Sequence, residues 1–361
     1  MNELAGILSK VRAMGASDLF LAPGTPPMVK LNGQVSPLPG FNALSEGTCK
    51  ALIYSGIFEN GRQRFEQEME LDYSFAVQGV ARFRVNVLQQ RGGVSAVYRV
   101  IPDAIPTPQE LGLSPAMIAL ADLPRGLVLV TGATGSGKST TLAALIETIN
   151  QRHSKNIITI EDPIEFVYER KKSLILQREV GQHTKSFKEA LRRALRQAPD
   201  VILVGELRDQ ETIQLALTAA ETGHLCFATL HTQDCATSID RIIDVFPPEQ
   251  QQQVRTQLSM TLKAVLSQML LQRKDAPGRV AVREFMTSSI AIASLIRENK
   301  GHMIYSVMET GQETGMQTME QHLAFLIQRG YIGPDEALSK AGAPHIVKQL
   351  LKMTDAPDTD K

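Results

Sequence analysis

The chain has 361 residues, 43% of them hydrophobic, with 38 Lys and Arg balanced by 38 Asp and Glu. That length predicts two domains or three, and the even charge disfavours a nucleic-acid binder, whose affinity rests on a basic excess. The three cysteines, Cys49, Cys226 and Cys235, include no CxxC pair, which argues against a disulfide framework or a cysteine-rich zinc site. No uninterrupted apolar run reaches 18 residues, so no transmembrane segment is expected. The opening MNELAGILSKVRAMGASDLF mixes charges into its apolar residues and lacks a signal-peptide core. These features read as a soluble cytoplasmic protein, with TDAPDTDK as a solvated tail.

Residues 1–104 read as one domain. Leu4, Ile7, Leu8 and Val11 have helical spacing, and short strands such as MVKLNGQV follow, punctuated by Pro and Gly. VARFRVNVLQQRGGVSAVYRVI predicts two strands with a turn near Arg91-Gly92-Gly93. Ala81, Phe83, Val85 and Val87 face one way, and Arg82, Arg84 and Asn86 the other. Two readings of those arginines stand: a solvated face paired with Glu68, Glu70 or Asp72, or a functional pair. Pro102, Pro106 and Pro108 mark a linker, taken as 105–118.

From about residue 119 short apolar strands (LVLVT, IITI, VILV, LCFATL) alternate with helices. This predicts a largely parallel sheet covered on both faces. TKSFKEALRRALRQ is one such helix, with Phe187, Ala190, Leu191, Ala194 and Leu195 as its stripe and Ser186 with Glu189 as a capping box. ETIQLALTAAET is another, stopped at Gly223. After Pro247-Pro248 one long helix is expected, with Val254, Leu258, Leu262, Val265, Leu266 and Met269 as its stripe. Beyond about 286 the pattern reads as further helices.

The segment GLVLVTGATGSGKSTTLAALI matches G-x-x-x-x-G-K-[ST] at Gly132–Ser139, between a strand and a helix. Glycines let backbone N–H groups turn inward on phosphates, Lys138 reaches the β and γ oxygens, and Ser139 offers a hydroxyl to Mg²⁺. The helix start adds its positive end. Gly132, Thr134, Gly135, Ser136, Gly137, Lys138, Ser139 and Thr140 are the predicted nucleotide-binding residues. Hydrolysis further needs a carboxylate for water and another for the metal shell. IITIEDPIEF supplies Glu161, Asp162 and Glu165, and DVILVGELRD supplies Glu206, each just past a strand end where open α/β sheets bind ligands. Gly205 stands where Asp is common. The same acids are also suited to capping helices or pairing with Arg208. His231, at the end of LCFATLHT, reads either as a γ-phosphate sensor or as a hydrogen-bonded structural histidine. His224 lies just before that strand.

The ordered set GATGSGKST, TIEDPIEF, ILVGELRD and TGHLCFATLHT resembles the secretion ATPase superfamily. With ASDLFL, GVARFRVN, QREVG and GMQTMEQHL the resemblance extends over nearly the whole chain and is to type IV pilus retraction ATPases of the PilT and PilU type. The resemblance implies an α/β protein: a PAS-like α+β N-terminal domain (1–104), then a RecA-like P-loop domain (119–361) with a helical C-terminal part from about 287. It implies a homohexameric Mg-ATPase that powers pilus retraction and twitching motility. The ring would work at the inner membrane with a pilus platform protein and beside paralogous pilus ATPases. It assigns Glu165 as catalytic glutamate, Glu206 as the acid that holds Mg²⁺ with Ser139, through water, and His224 and His231 as the histidine box. Arg82, Arg84 and Arg99 become the arginines that approach nucleotide. In AIASLIRE, Ala293 stands where retraction ATPases commonly carry Arg, which leaves main motor and accessory paralogue both open. The rival classes are a nucleotide-gated accessory of low turnover, a RecA-type nucleic-acid motor, which the charge balance disfavours, and a small-molecule kinase, for which no acceptor site is evident.

Overall fold

A computed structural model of the chain describes residues 2–31, 33–101 and 104–354. The expected solvated tail and Pro102 lie outside these, apart from Thr354. The chain divides into two compact units, Met1–Ala104 with Pro163–Val167, and Ile105–Asp162 with Tyr168–Lys361.

The first unit runs α1 (Asn2–Ala13), β1 (Asp18–Leu21), β2 (Met28–Leu31), β3 (Gln34–Pro37), α2 (Glu46–Ser55), α3 (Glu59–Glu68), β4 (Glu70–Val77), β5 (Ala81–Gln90) and β6 (Gly93–Ile101). Its six strands form one antiparallel sheet in the order β3-β2-β1-β6-β5-β4. Leu4, Ile7, Leu8 and Val11 of α1 pack with Phe83, Val85, Val87 and Tyr98 in a single core, so the helical stripe and the β5 alternation meet as their periods require. The opposite face of β5 carries Arg82, Arg84 and Asn86. This is the PAS-like α+β arrangement, helices on one face of an antiparallel sheet.

The second unit begins with α4 (Pro115–Ile118), then β7 (Gly126–Thr131), α5 (Lys138–Arg152), β8 (Asn156–Glu161), β9 (Leu174–Glu179), α6 (Phe187–Ala194), β10 (Val201–Val204), α7 (Gln210–Glu221) and β11 (Leu225–Leu230). It continues through α8 (Cys235–Asp244), α9 (Pro248–Thr261), β12 (Leu262–Gln272) and β13 (Arg279–Thr287) to α10 (Ile290–Arg297), α11 (Ile304–Thr310), α12 (Met319–Gln328), α13 (Pro334–Lys340) and α14 (Pro344–Thr354). The sheet order is β13-β12-β7-β11-β10-β8-β9, parallel except for β13. Alternate residues of β7 enter different cores. Leu127 and Leu129 pack with α6 to α11, while Val128 and Val130 pack with α4 and α5. A parallel sheet buried on both faces reads as a continuous apolar run, and this doubly covered sheet is RecA-like.

The N-cap half of the expected box holds at α6, where Ser186 Oγ accepts from the Glu189 N–H at 3.2 Å, but the Glu189 carboxylate pairs with Arg192 at 3.6 Å instead of closing the box; after α7, Gly223 takes φ +108°. The long helix expected after Pro248 does not hold. It stops at Thr261, and Leu262, Val265, Leu266 and Met269 belong to β12. The run LKAVLSQMLLQ is apolar enough to be buried in either conformation, and pairing with β7 on one edge and β13 on the other selects the strand.

Candidate functional site

The segment joining β7 to α5 is a tight loop built on glycines. Gly132, Gly135 and Gly137 take φ of +139°, +79° and +87°, a region L-residues rarely adopt. Gly137 caps α5, and Lys138 opens it. The Lys138 ammonium donates to the carbonyls of Gly132 at 2.7 Å and Ala133 at 3.0 Å, which holds it across the loop's mouth. The Ser136 hydroxyl is buried and has no hydrogen-bond partner among the described residues, which suits it to a phosphate oxygen. Ser139 and Thr140 are half-buried in the first turn. The residues present therefore fit a nucleotide phosphate group: a glycine loop at left-handed φ, a fixed ammonium, an unspent hydroxyl and a helix N-terminus.

The acids arrive at the same, carboxyl, edge of the sheet. Glu206 follows β10 and accepts from Arg208 Nη2 at 2.7 Å, with His231 Nε2 3.3 Å from its other oxygen. Burial alone raises its pKa, but the Arg208 hydrogen bond and the charges of His231 and Arg208 outweigh that and hold the carboxyl below its usual range. The same bond raises Arg208. The pairing of Glu206 with Arg208, one of the alternatives open from sequence, is thus present together with the His231 contact. Gly205, at the place where Asp is common, sits in a crowded spot. A Cβ there would lie 3.1 Å from the Ile160 carbonyl, 3.3 Å from Glu161 Cα and 3.3 Å from Phe187.

Glu161 ends β8, buried, and accepts from Thr159 Oγ1 at 2.6 Å and Gln177 Nε2 at 3.4 Å. Asp162 is exposed. Glu165 is exposed too, and it lies in Pro163–Val167, the segment that belongs to the first unit. The acidic box is therefore divided, Glu161 and Asp162 with the P-loop's unit and Glu165 with the other.

The two histidines separate. Leu230 of β11 lies opposite Thr131, which puts His231 at the loop end of the sheet. His224 sits at the other end: its neighbour Leu225 lies opposite Gly126, its carbonyl accepts from the Gly126 N–H, and its Nδ1 is 2.9 Å from the Ala219 carbonyl. Six residues of strand put these ends about 20 Å apart. The structure does not bring His224 to its own P-loop.

In the first unit Arg82 Nη2 donates to Ser74 Oγ at 2.6 Å, and Arg84 is exposed, opposite Ser74 and Arg99 across its two neighbours. Arg99 donates from Nε to Asp18 at 2.8 Å. Of the acids considered from sequence, Asp72 accepts from Asn86 Nδ2 at 3.3 Å and Glu68 pairs with Arg64 at 3.0 Å.

Several residues around the P-loop were not anticipated from sequence. Thr131 Oγ1 lies 2.5 Å from Ser267 Oγ, Ser238 Oγ donates to Thr131 at 3.3 Å, and Thr232 Oγ1 lies 2.6 Å from Ser238 Oγ. This hydroxyl chain joins the residue after His231 to the root of the P-loop. Gln268 bonds the loop itself. The available signal was Ser267-Gln268 inside an apolar run, since buried polar groups must find partners.

Comparison with known proteins agrees with this geometry. Residues 60–339 match the family model described as type II/IV secretion system protein. The chain is 50% identical over 342 residues to the type IV pilus retractation ATPase PilT of Pseudomonas aeruginosa, covering 95% of this chain and 99% of that one. It is 40% identical over 358 residues to the type IV pilus ATPase PilU of the same organism, covering 99% and 94%. A crystal structure of the pilus retraction motor PilT with bound ADP superposes with a TM-score of 0.91 at 46% identity, covering 96% of this chain and 98% of that one. The ATPase DotB of Legionella pneumophila follows at 0.77 and 29%, covering 93% and 94%. The chain therefore belongs to the type II/IV secretion system protein family and is one of its ATPases.

Proposed function

We propose that the protein hydrolyses ATP, with Mg²⁺, as a homohexameric motor that drives type IV pilus retraction and so twitching motility. It does so at the cytoplasmic face of the inner membrane against a pilus platform protein. The observation that carries the reading is the convergence at one sheet edge of a glycine loop fitted to phosphate with the Glu206–His231 pair. Relatives named as pilus retraction ATPases match over 95% and 96% of the chain and support the remainder.

In this reading the N–H groups of Gly132–Thr140 and Lys138 bind the triphosphate. Ser139 and Glu206 would hold Mg²⁺, whose charge would offset that building up on the phosphate oxygens. Glu206 is kept anionic by Arg208 and His231, which suits it to that task, and His231 is placed to answer the presence of the γ-phosphate. Glu165 takes the proton of the attacking water. Arg84, with Arg82, reaches the nucleotide of the next subunit in the ring and offsets charge in the transition state. Arg99, beside Arg84 on the next strand and giving its Nε to Asp18, is the third arginine in this role. A second reading, an accessory that works beside a paralogous pilus ATPase, is favoured by Ala293 in α10, where retraction motors carry Arg.

Deleting the protein and scoring surface pili tests the main reading. Excess pili with lost twitching support the motor, and normal piliation and movement reject it. Restored function on Ala293→Arg, in a deletion strain that the wild type rescues poorly, would favour the accessory reading.

A further inference from the structure

Gln268 is only 2% exposed in the middle of β12. A buried primary amide carries an acceptor and two donor hydrogens that have to be paired. Its partners lie at the nucleotide loop. Nε2 donates to the Ser136 carbonyl at 2.7 Å, and Oε1 accepts from Thr141 Oγ1, in the first turn of α5, at 2.9 Å. Strand register brings it there: Ser267 lies opposite Thr131, so Gln268 and Gly132 reach the loop's root together. The two backbones touch, since a Cβ on Gly132 would lie 2.2 Å from the Gln268 carbonyl oxygen.

We propose that Gln268 is a positioning residue for nucleotide phosphate, setting the plane of the Ser136–Gly137 peptide. The inference rests on the loop being the nucleotide site. In a trans peptide the carbonyl and the following N–H point in opposite directions. Gln268 draws the Ser136 carbonyl toward β12, which turns the Gly137 N–H to the other side. That N–H is one of the donors left without an intrahelical acceptor at the start of α5, and a donor so aimed serves an anion. Glycine at 135 and 137 gives this stretch freedom that has to be removed before phosphate binds well. The amide removes it in advance, tying loop and helix start to a strand that neither adjoins in sequence. Such preorganisation appears as affinity.

The test uses the full-length protein and fluorescently labelled ADP with Mg²⁺, with thermal unfolding run without nucleotide. Gln268→Met keeps the volume and removes both hydrogen bonds. Thr141→Val removes only the helix end of the bridge. The expected result is about tenfold weaker ADP binding for Gln268→Met, with the loss in steady state appearing as a raised KM for ATP at kcat within threefold of wild type. Thr141→Val should stay within threefold in affinity. A folded Gln268→Met protein that binds ADP within twofold of wild type overturns the proposal, as does Thr141→Val weakening binding equally. Where Gln268→Met does not fold, Gln268→Glu decides. Its carboxyl donates to Ser136 only when protonated, so affinity relative to wild type should rise between pH 8 and pH 6. A flat ratio overturns the proposal. Wild type failing to bind ADP would instead reject the nucleotide-site reading.

Discussion

Replacing Gly132 by alanine perturbs the loop where it leaves the sheet, and two costs can be worked separately. The backbone there has φ +139°, where an L-residue pays about 1–3 kcal/mol. The new Cβ would also lie 2.2 Å from the Gln268 carbonyl oxygen and 2.6 Å from Ser136 Oγ. The first neighbour is backbone of the paired strand β12 and cannot rotate away, so overpacking adds about 1–3 kcal/mol. The sum is about 2–6 kcal/mol. Gly135→Ala is the matched control: φ is +79° and nothing lies within 4 Å, leaving only the left-handed penalty of about 1–2 kcal/mol. In a domain of this size each kcal/mol lowers Tm by about 2–4 °C. Thermal unfolding without nucleotide should therefore place Gly132→Ala about 4–24 °C below wild type and Gly135→Ala about 2–8 °C below. Gly132→Ala melting no lower than Gly135→Ala would refute the claim that β12 crowds the loop.

The other substitutions test chemistry rather than packing. Lys138→Ala should abolish ATP turnover with the fold intact by circular dichroism, because Lys138 is the cation held across the loop's mouth; wild-type turnover would sink the assignment. Glu165→Gln should cut turnover by about 10² to 10⁴ while nucleotide still binds, as for loss of a general base. If Glu161→Gln loses turnover and Glu165→Gln keeps it, the buried acid with its Thr159 and Gln177 partners is the functional one. Arg84→Ala and Lys138→Ala, each inactive alone, should regain partial turnover when mixed, since some interfaces then pair an intact loop with an intact Arg84. No recovery, with subunit exchange verified and mild poisoning of wild type by each mutant, rules the trans arrangement out.

Much of the fold is legible because its patterns are local. The β5 alternation and the α1 stripe are set by periods of 2 and 3.6 that a short window reveals, and β7, β8, β10 and β11 are short apolar runs bounded by polar residues and turn signals. Gly132–Ser139 is legible for the same reason: its glycines, lysine and serine are adjacent in the chain. The missed strand β12 has no such signature. Every second residue of a strand buried on both faces is as apolar as its neighbours, so the run from Leu262 does not declare its own period.

The sequence by itself thus determined a phosphate loop, its flanking strand and helix, and the acids available at the strand ends. Only the tertiary structure decided which of them meet. Parallel register puts His231 beside Glu206 and leaves His224 at the opposite end of the same strand, although both flank LCFATL. Pairing of β12 with β7 carries Ser267 to Thr131 and Gln268 to Ser136 and Thr141, residues more than 120 positions away. A buried amide must be satisfied wherever it lands, but its partner is fixed by strand register, and register follows from the packing of the whole sheet.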